Sequence, residues 1–497
     1  MRQVTGGTGG RAWRVARSTR TTVAALGVTV ALAVGGAAYA TAEPAPAPPP
    51  PPSAPRAPAP PPSPAAPSPS EPAPAPAPQA APAAQPADQP ARITRTYWYT
   101  DRRVALWVFS PSMNTEIQVQ LLLARDWYRN PTAKFPQLTM LDGLRAQDDQ
   151  SGWILNTDVV DFYKDKNVNV ILPIGGESSF YTNWLKPDRG KNYQWETFLI
   201  RELPPLIEGD WRSTTVRGIE GLSMGGTAAM MLASRNPGFY KFAGSFSGIL
   251  QLTSYGMPQA IQFAQRDGGG YDSIKMFGTP SNPAWKEHDP FELAEKLRGT
   301  SLYMSSGNGL IGPYDKPSDI PMLATNYSGV GLELLSRVTT QQFAMKLNRL
   351  GIPGQANYRP SGTHTWKYWE FEKTQAWPQA AAALGLSGDR VACRVGGAFK
   401  KAVAGNKDIG RCLTPEYAVP GGRAQDFTGG RMFTGPKGPK FVTGAIGGAY
   451  AGAGGPGGRL GLPTSNEMPT RDRKGRVNTF ERGRITWTAR DGARITR

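Results

Sequence analysis

The sequence predicts an α/β fold, a mostly parallel sheet covered by helices on both faces, with a small repeat region at its C-terminal end. Three observations predict it. Short apolar runs alternate with helix-like stretches between about Ile93 and Leu386, the pattern of strands joined by crossing helices. One strand-to-helix junction carries Gly221-Leu222-Ser223-Met224-Gly225. Finally, "VGGAFKKAVAGNKDIG" at 395–410 lines up with "IGGAYAGAGGPGGRLG" at 446–461, which implies two copies of one supersecondary unit.

Taken in order, residues 1–42 begin with five arginines and no acid, then run through "TTVAALGVTVALAVGGAAYATA" to Ala38-Tyr39-Ala40. A basic start, a short apolar stretch and a small-residue cleavage site make a secretory signal. The alternative is an uncleaved anchor helix, about long enough to span but rich in Ala, Gly and Thr. Residues 43–91 are almost all Pro and Ala. Such a segment buries no core and is expected to be a disordered, polyproline-like linker, on the order of 150 Å when extended.

Residues 92–386 form the predicted folded domain. "ALWVFS", "EIQVQLLLA", "LTMLDG", "NVNVILPIGG", "TTVRGIEG", "FAGSFSGIL" and "TSLYMSSGNG" are its strands. "YQWETFLIRELPPLI", "TAAMMLASR", "AIQFAQR", "ELLSRVTTQQFAMKLNRLG" and "YWEFEKTQAWPQAAAAL" have helical spacing or propensity. Sites in such sheets form at the carboxyl ends of strands.

Ser223 lies where "TTVRGIEGL" gives way to "MGGTAAMMLASRN". With 58 glycines in the chain, the G-x-S-x-G pattern alone is weak. A strand-to-helix elbow, however, is the context that a serine nucleophile requires. A serine needs a base, and the chain holds only His288 and His364. His288 stands before a helix start, where a capping or surface role is expected. His364 follows the final strand candidate, the slot of the catalytic histidine in the order Ser, acid, His. For the acid, spacing leaves Asp315, Asp319 and Glu333 open.

Several stretches resemble the antigen-85 mycolyltransferase family: "LTMLDGLRAQDDQSGWILNT", "VILPIGGESSFYTNWLKP", "YQWETFLIRELP", "GLSMGG", "GNG…KPSDIP" and "SGTHTWKYW". The match covers nearly all of residues 96–385, in order. The resemblance implies an α/β-hydrolase fold and transfer of a mycolic acyl chain between trehalose esters and a sugar acceptor, with no cofactor. It makes Ser223 the nucleophile, His364 the base and Glu333 the acid. It places the oxyanion hole at the N–H groups of Leu144 and Met224. Asp142, Arg145, Gln147, Asn156 and Trp366 match its sugar contacts. The bland alternative is that Asp142 and Arg145 pair to brace the loop of Leu144. Ser306 stands where many members carry a cysteine, and "LKPDRGKNYQW" lacks the family's disulfide loop.

Residues 394–497 hold nineteen Lys and Arg against seven Asp and Glu, most of the net charge of +18. This points to an anionic surface or wall polymer rather than nucleic acid, and no aromatic and basic stacking platform is present. The second copy, with "LGLPTSNE" and "GRITW", resembles the LGFP repeat of bacterial wall proteins. A passive stabilising appendage is the alternative. Cys393 and Cys412 are expected to pair in an oxidising compartment and staple only the first copy. No His or Cys pair has metal-ligand spacing. The expectation is therefore a secreted, cell-wall-associated acyltransferase acting on trehalose mycolates and wall arabinogalactan. A hydrolase with the same residues and a wall-binding adhesin with a vestigial site are the rivals.

Overall fold

Nine stretches of extended backbone build the main sheet: β1 (Arg92–Trp98), β2 (Arg103–Ser110), β3 (Thr115–Leu122), β4 (Phe135–Leu141), β5 (Asn169–Pro173), β6 (Ser213–Leu222), β7 (Phe242–Phe246), β8 (Ser301–Ser306) and β9 (Gly354–Tyr358). Their order in this computed structural model is β1-β2-β3-β5-β4-β6-β7-β8-β9. The structure describes residues 89–316 and 327–496. The expected signal and most of the expected linker therefore lie outside the described residues, as does Asp319.

From β5 to β9 every neighbouring pair is parallel, whereas β1, β2, β3 and β5 pair antiparallel. The parallel strands β5 and β7 are buried at every position, as strands covered on both faces must be. One covering layer includes the helix Met224–Arg235, buried from Met224 through Ser234. The other includes the helix Trp366–Ala383, which contributes Trp369, Ala376 and Ala380. β1 is not among the predicted strands, because "RITRTYW" lacks an apolar face. It forms as an edge strand, with the guanidinium of Arg95 3.6 Å from the Trp107 ring centre and that of Arg92 4.6 Å from that of Phe109. Charged side chains on an edge also discourage pairing with another chain.

Each C-terminal copy is a four-stranded antiparallel sheet. The first comprises β10 (Tyr417–Val419), β11 (Gly422–Phe427), β12 (Gly430–Thr434) and β13 (Lys440–Thr443). The second comprises β14 (Met468–Pro469), β15 (Gly475–Phe480), β16 (Gly483–Thr488) and β17 (Gly492–Thr496). The register repeats, with Phe427 opposite Gly430 and Phe480 opposite Gly483. So does one ion pair, Glu416 with Arg423 and Glu467 with Arg476. Cys393 and Cys412 are joined, their Cα atoms 5.9 Å apart.

This region is docked on the main sheet. A Cβ on Gly448 would lie 2.7 Å from the Trp98 carbonyl oxygen, and one on Gly452 2.8 Å from the Trp98 ring. Glycine at both positions lets the helix Gly444–Gly452 lie directly on β1. Beside it, Arg102 pairs with Asp426 at 2.7 Å and Arg431 with Asp101 at 3.1 Å, all four buried or nearly so. The Arg431 guanidinium covers the Tyr128 ring at 3.5 Å. Removing one partner of a buried pair strands the other charge away from water. Asp426→Ala should therefore destabilise the full chain by about 3–5 kcal/mol, read as a lower urea midpoint. An unchanged midpoint would mean that these charges do not brace the two regions.

Candidate active site

Ser223 sits between β6 and the helix Met224–Arg235 with φ 52° and ψ −122°. Few non-glycine residues hold such a backbone, and it occurs where the surrounding structure over-determines it. The flanking glycines are what permit it. A Cβ on Gly221 would lie 2.4 Å from the Gly225 carbonyl carbon, and one on Gly225 2.4 Å from the Asp142 carbonyl oxygen. The turn therefore closes on itself and on the end of β4. The Ser223 N–H donates to the Phe246 carbonyl at 2.8 Å.

Three residues distant in sequence meet here. His364 Nε2 lies 2.8 Å from Ser223 Oγ, and His364 Nδ1 lies 2.6 Å from Glu333 Oε2. Glu333 is 1% exposed. Its other oxygen accepts from the Gly307 N–H at 2.6 Å and the Ser247 hydroxyl at 2.9 Å. Ser247 in turn accepts from Trp369 Nε1 at 3.1 Å, and the Trp369 ring stands edge-on to the His364 imidazole. Arg337, one helical turn beyond Glu333, donates to the carbonyls of Gly307 and Arg359. This fixes the ends of β8 and β9 around the carboxylate.

The other candidates for base and acid stand elsewhere. His288 caps the C-terminus of the helix Ala284–Glu287; its ring lies on Phe277 and its Nδ1 bonds the Ala284 carbonyl at 2.7 Å. Burial, with the charge of Arg235 beside it, pushes its pKa down to about 4. Asp315 receives the Thr363 and Tyr368 hydroxyls at 2.7 and 2.6 Å. It braces the loop that carries His364 rather than touching the imidazole.

Ser223 and His364 open into a cavity of about 680 Å³. Asp142, Arg145, Gln147, Asn156 and Trp366 line it, as do Leu144 and Met224. Met224 is the first residue of its helix, so its N–H has no helical acceptor. A Cβ on Gly143 would lie 3.6 Å from the Ser223 Cβ, so the loop of Leu144 passes beside the serine. Apolar lining comes from Ala260, Ile261, Phe263 and Ala264 of the helix Met257–Gly269, and from Leu332 and Leu335 of the helix Tyr327–Arg349.

The structure does not pair Asp142 with Arg145. Arg145 instead bonds Asp267 at 2.8 Å across the mouth, so the loop-bracing pair read from the sequence is corrected. Asp142 is buried; its Oδ2 accepts from the Gly152 N–H at 3.0 Å, and its Oδ1 has no protein partner. Burial pushes its pKa up to about 7, against opposing hydrogen bonds from the Gly152 and Trp153 backbone. Gln147 and Asn156 are exposed at the rim, and Trp366 is half-buried, edge-on to Trp153. Ser306 is buried at the end of β8. Ser247 carries no sequence signal that marks it, and the stretches "GNG" and "SGTHTWKYW" that hold Gly307 and Trp369 do not single out these two residues. Among the described residues no group of three metal-ligating side chains gathers.

Residues 110–379 match the family described as "Putative esterase", and residues 409–458 and 460–497 match the LGFP repeat. The chain is 37% identical over 290 residues to the diacylglycerol acyltransferase/mycolyltransferase Ag85A of Mycobacterium leprae, covering 57% of this chain and 83% of that protein. It is 37% identical over 273 residues to Ag85B of the same organism, covering 53% and 79%. The crystal structure of Mycobacterium tuberculosis MPT51 aligns with a TM-score of 0.46 at 28% identity, over 57% of this chain and 97% of that one.

The raised pKa of Asp142 has a signed consequence. Between the ordinary carboxyl value and about 7 the folded chain holds a proton there that the unfolded chain has released. This group's effect on stability therefore becomes less favourable as pH rises from about 4 to about 7, then levels off. Asp142→Asn removes it. The urea midpoint of the variant, minus that of the parent, should be larger at pH 8 than at pH 4.5. A difference independent of pH would reject a buried, neutral Asp142.

Proposed function

The chain belongs to the esterase family of the antigen-85 diacylglycerol acyltransferases/mycolyltransferases, and from that membership we propose an exported enzyme that moves a mycolyl chain from trehalose monomycolate to a second sugar alcohol. The acceptor is another trehalose monomycolate or the arabinogalactan of the wall. The observation that carries this reading is the hydrogen-bonded line from Ser223 through His364 to buried Glu333, in a cavity lined by both polar and apolar side chains.

His364 Nε2 takes the Ser223 proton as Oγ attacks the ester carbonyl, then delivers it to the departing trehalose oxygen. The acceptor hydroxyl then loses its proton to the same nitrogen as it attacks the acyl-enzyme, and Ser223 leaves with that proton restored. Glu333 holds the imidazole tautomer and stabilises its cation. The N–H groups of Leu144 and Met224 receive the oxyanion. Losing one such donor typically raises a barrier by about 3 kcal/mol. Asp142, Arg145, Gln147, Asn156 and Trp366 hold the sugar, and the apolar wall takes the chain. The repeats hold the enzyme at an anionic wall polymer; their exposed arginines and lysines support this.

Incubating the purified chain with trehalose monomycolate should yield trehalose dimycolate, free trehalose and a mycolyl mass shift on Ser223. Ser223→Ala should lower turnover by roughly 10⁴-fold or more. Free mycolate as the sole acyl product would replace transfer with hydrolysis. For the repeats, Arg471, Arg473 and Lys474 lie exposed in the turn between β14 and β15. Changing all three to Ser should weaken sedimentation with purified walls and flatten its salt dependence. Retention of the parent chain that is indifferent to salt would reject electrostatic anchoring.

A further inference from the structure

The helix Met257–Gly269 touches both ends of the reaction. Along its length it forms the apolar wall, with Ile261 buried and Phe263 exposed at the rim. Its last turn is tied to the loop of Leu144 and Arg145 by three links. Gln265, fully buried, donates from Nε2 to the Ser178 carbonyl at 2.7 Å, and the Ser178 N–H donates to the Leu144 carbonyl at 2.9 Å. Gly268 presses on the Leu144 side chain so closely that a Cβ there would lie 2.7 Å from Cδ2 and 2.9 Å from Cγ. Asp267 bonds Arg145. The helix is bounded by left-handed glycines, Gly256 with φ 79° and Gly270 with φ 73°.

From these contacts we infer that Gln265 and Gly268 are positioning residues through which an acyl chain on the helix sets the placement of the Leu144 N–H. This rests on the reading of that N–H as an oxyanion donor. A chain lying against Ala260, Ile261 and Ala264 holds the helix; the helix, through Gln265–Ser178 and the Gly268–Leu144 contact, holds the loop. A short acyl group leaves the wall unfilled and the loop less constrained. Contacts remote from the reacting carbonyl are thereby realised in the transition state, and such contacts raise kcat rather than only lowering KM. The arrangement makes the enzyme selective for long acyl chains in its chemical step.

The test uses the full chain and p-nitrophenyl esters from acetate to decanoate. With the parent enzyme, kcat for acylation should climb about tenfold along the series while KM falls. In Gly268→Ala and Gln265→Ala the loss in kcat should be largest with decanoate and smallest with acetate, so the climb flattens while KM still falls. Loss by one common factor on every ester would make these residues merely structural and overturn the inference. So would a parent kcat indifferent to chain length, which needs no variant to detect. Ser223→Ala separates the two readings: ester turnover equal to the parent would overturn the acyl-enzyme and this coupling together, whereas a silent variant leaves the chain-length comparison to decide.

Discussion

Everything at the site hangs on a backbone turn that most residues resist. Ser223 is held at positive φ because β6 must end and a helix begin within one residue, with the end of β4 pressed against the turn. Gly221 and Gly225 let that happen; any side chain at either position would collide with backbone, which cannot move aside. The strain projects the hydroxyl above the sheet and presents the first helical N–H beside it. The same close approach brings the loop of Leu144 next to the serine. The geometry of three functional groups thus comes from one packing constraint.

The second constraint is the burial of Glu333. An ionised carboxylate with almost no exposure is costly unless it is fully hydrogen-bonded. Here the imidazole, the Gly307 N–H and the Ser247 hydroxyl occupy its oxygens. Those partners come from the ends of β7 and β8 and the loop after β9. The carboxylate therefore gathers the strand ends on one side of Ser223, as the glycine turn gathers those on the other. Asp142 is handled differently, with one oxygen left without a protein partner and burial favouring its neutral form. A carboxyl that waits in that state suits a hydroxyl-rich ligand, because it can both donate and accept.

How much of this was legible in the sequence depended on the range of the interaction. The buried strands and the elbow were visible because apolar runs and a glycine-flanked serine are local patterns. The resemblance supplied Glu333, which lies within a long helix at no distinctive spacing from His364. Ser247 was invisible: its role needs a positive φ in a residue other than glycine, in a strand end that reads as ordinary core. β1 was missed because its arginines pack on aromatic rings of its neighbour, so a polar stretch becomes a strand through tertiary contact. The pairing of Arg145 with Asp267 joins a loop and a helix 122 residues apart, and no spacing rule predicts it.

The same limit applies to the repeats, whose sequence suggests only an anchor. Their contact with β1 combines a glycine-faced helix on Trp98 with two ion pairs closed off from water. Buried pairs of this kind add little net stability compared with apolar packing, yet they penalise misplacement heavily. Their effect here is to fix orientation. A flexibly tethered tail would raise only the local concentration of enzyme at the wall. A tail locked to the strand edge also fixes the direction in which the cavity faces when the repeats are bound. The repeats and the cavity are thus held in one orientation to each other by that contact.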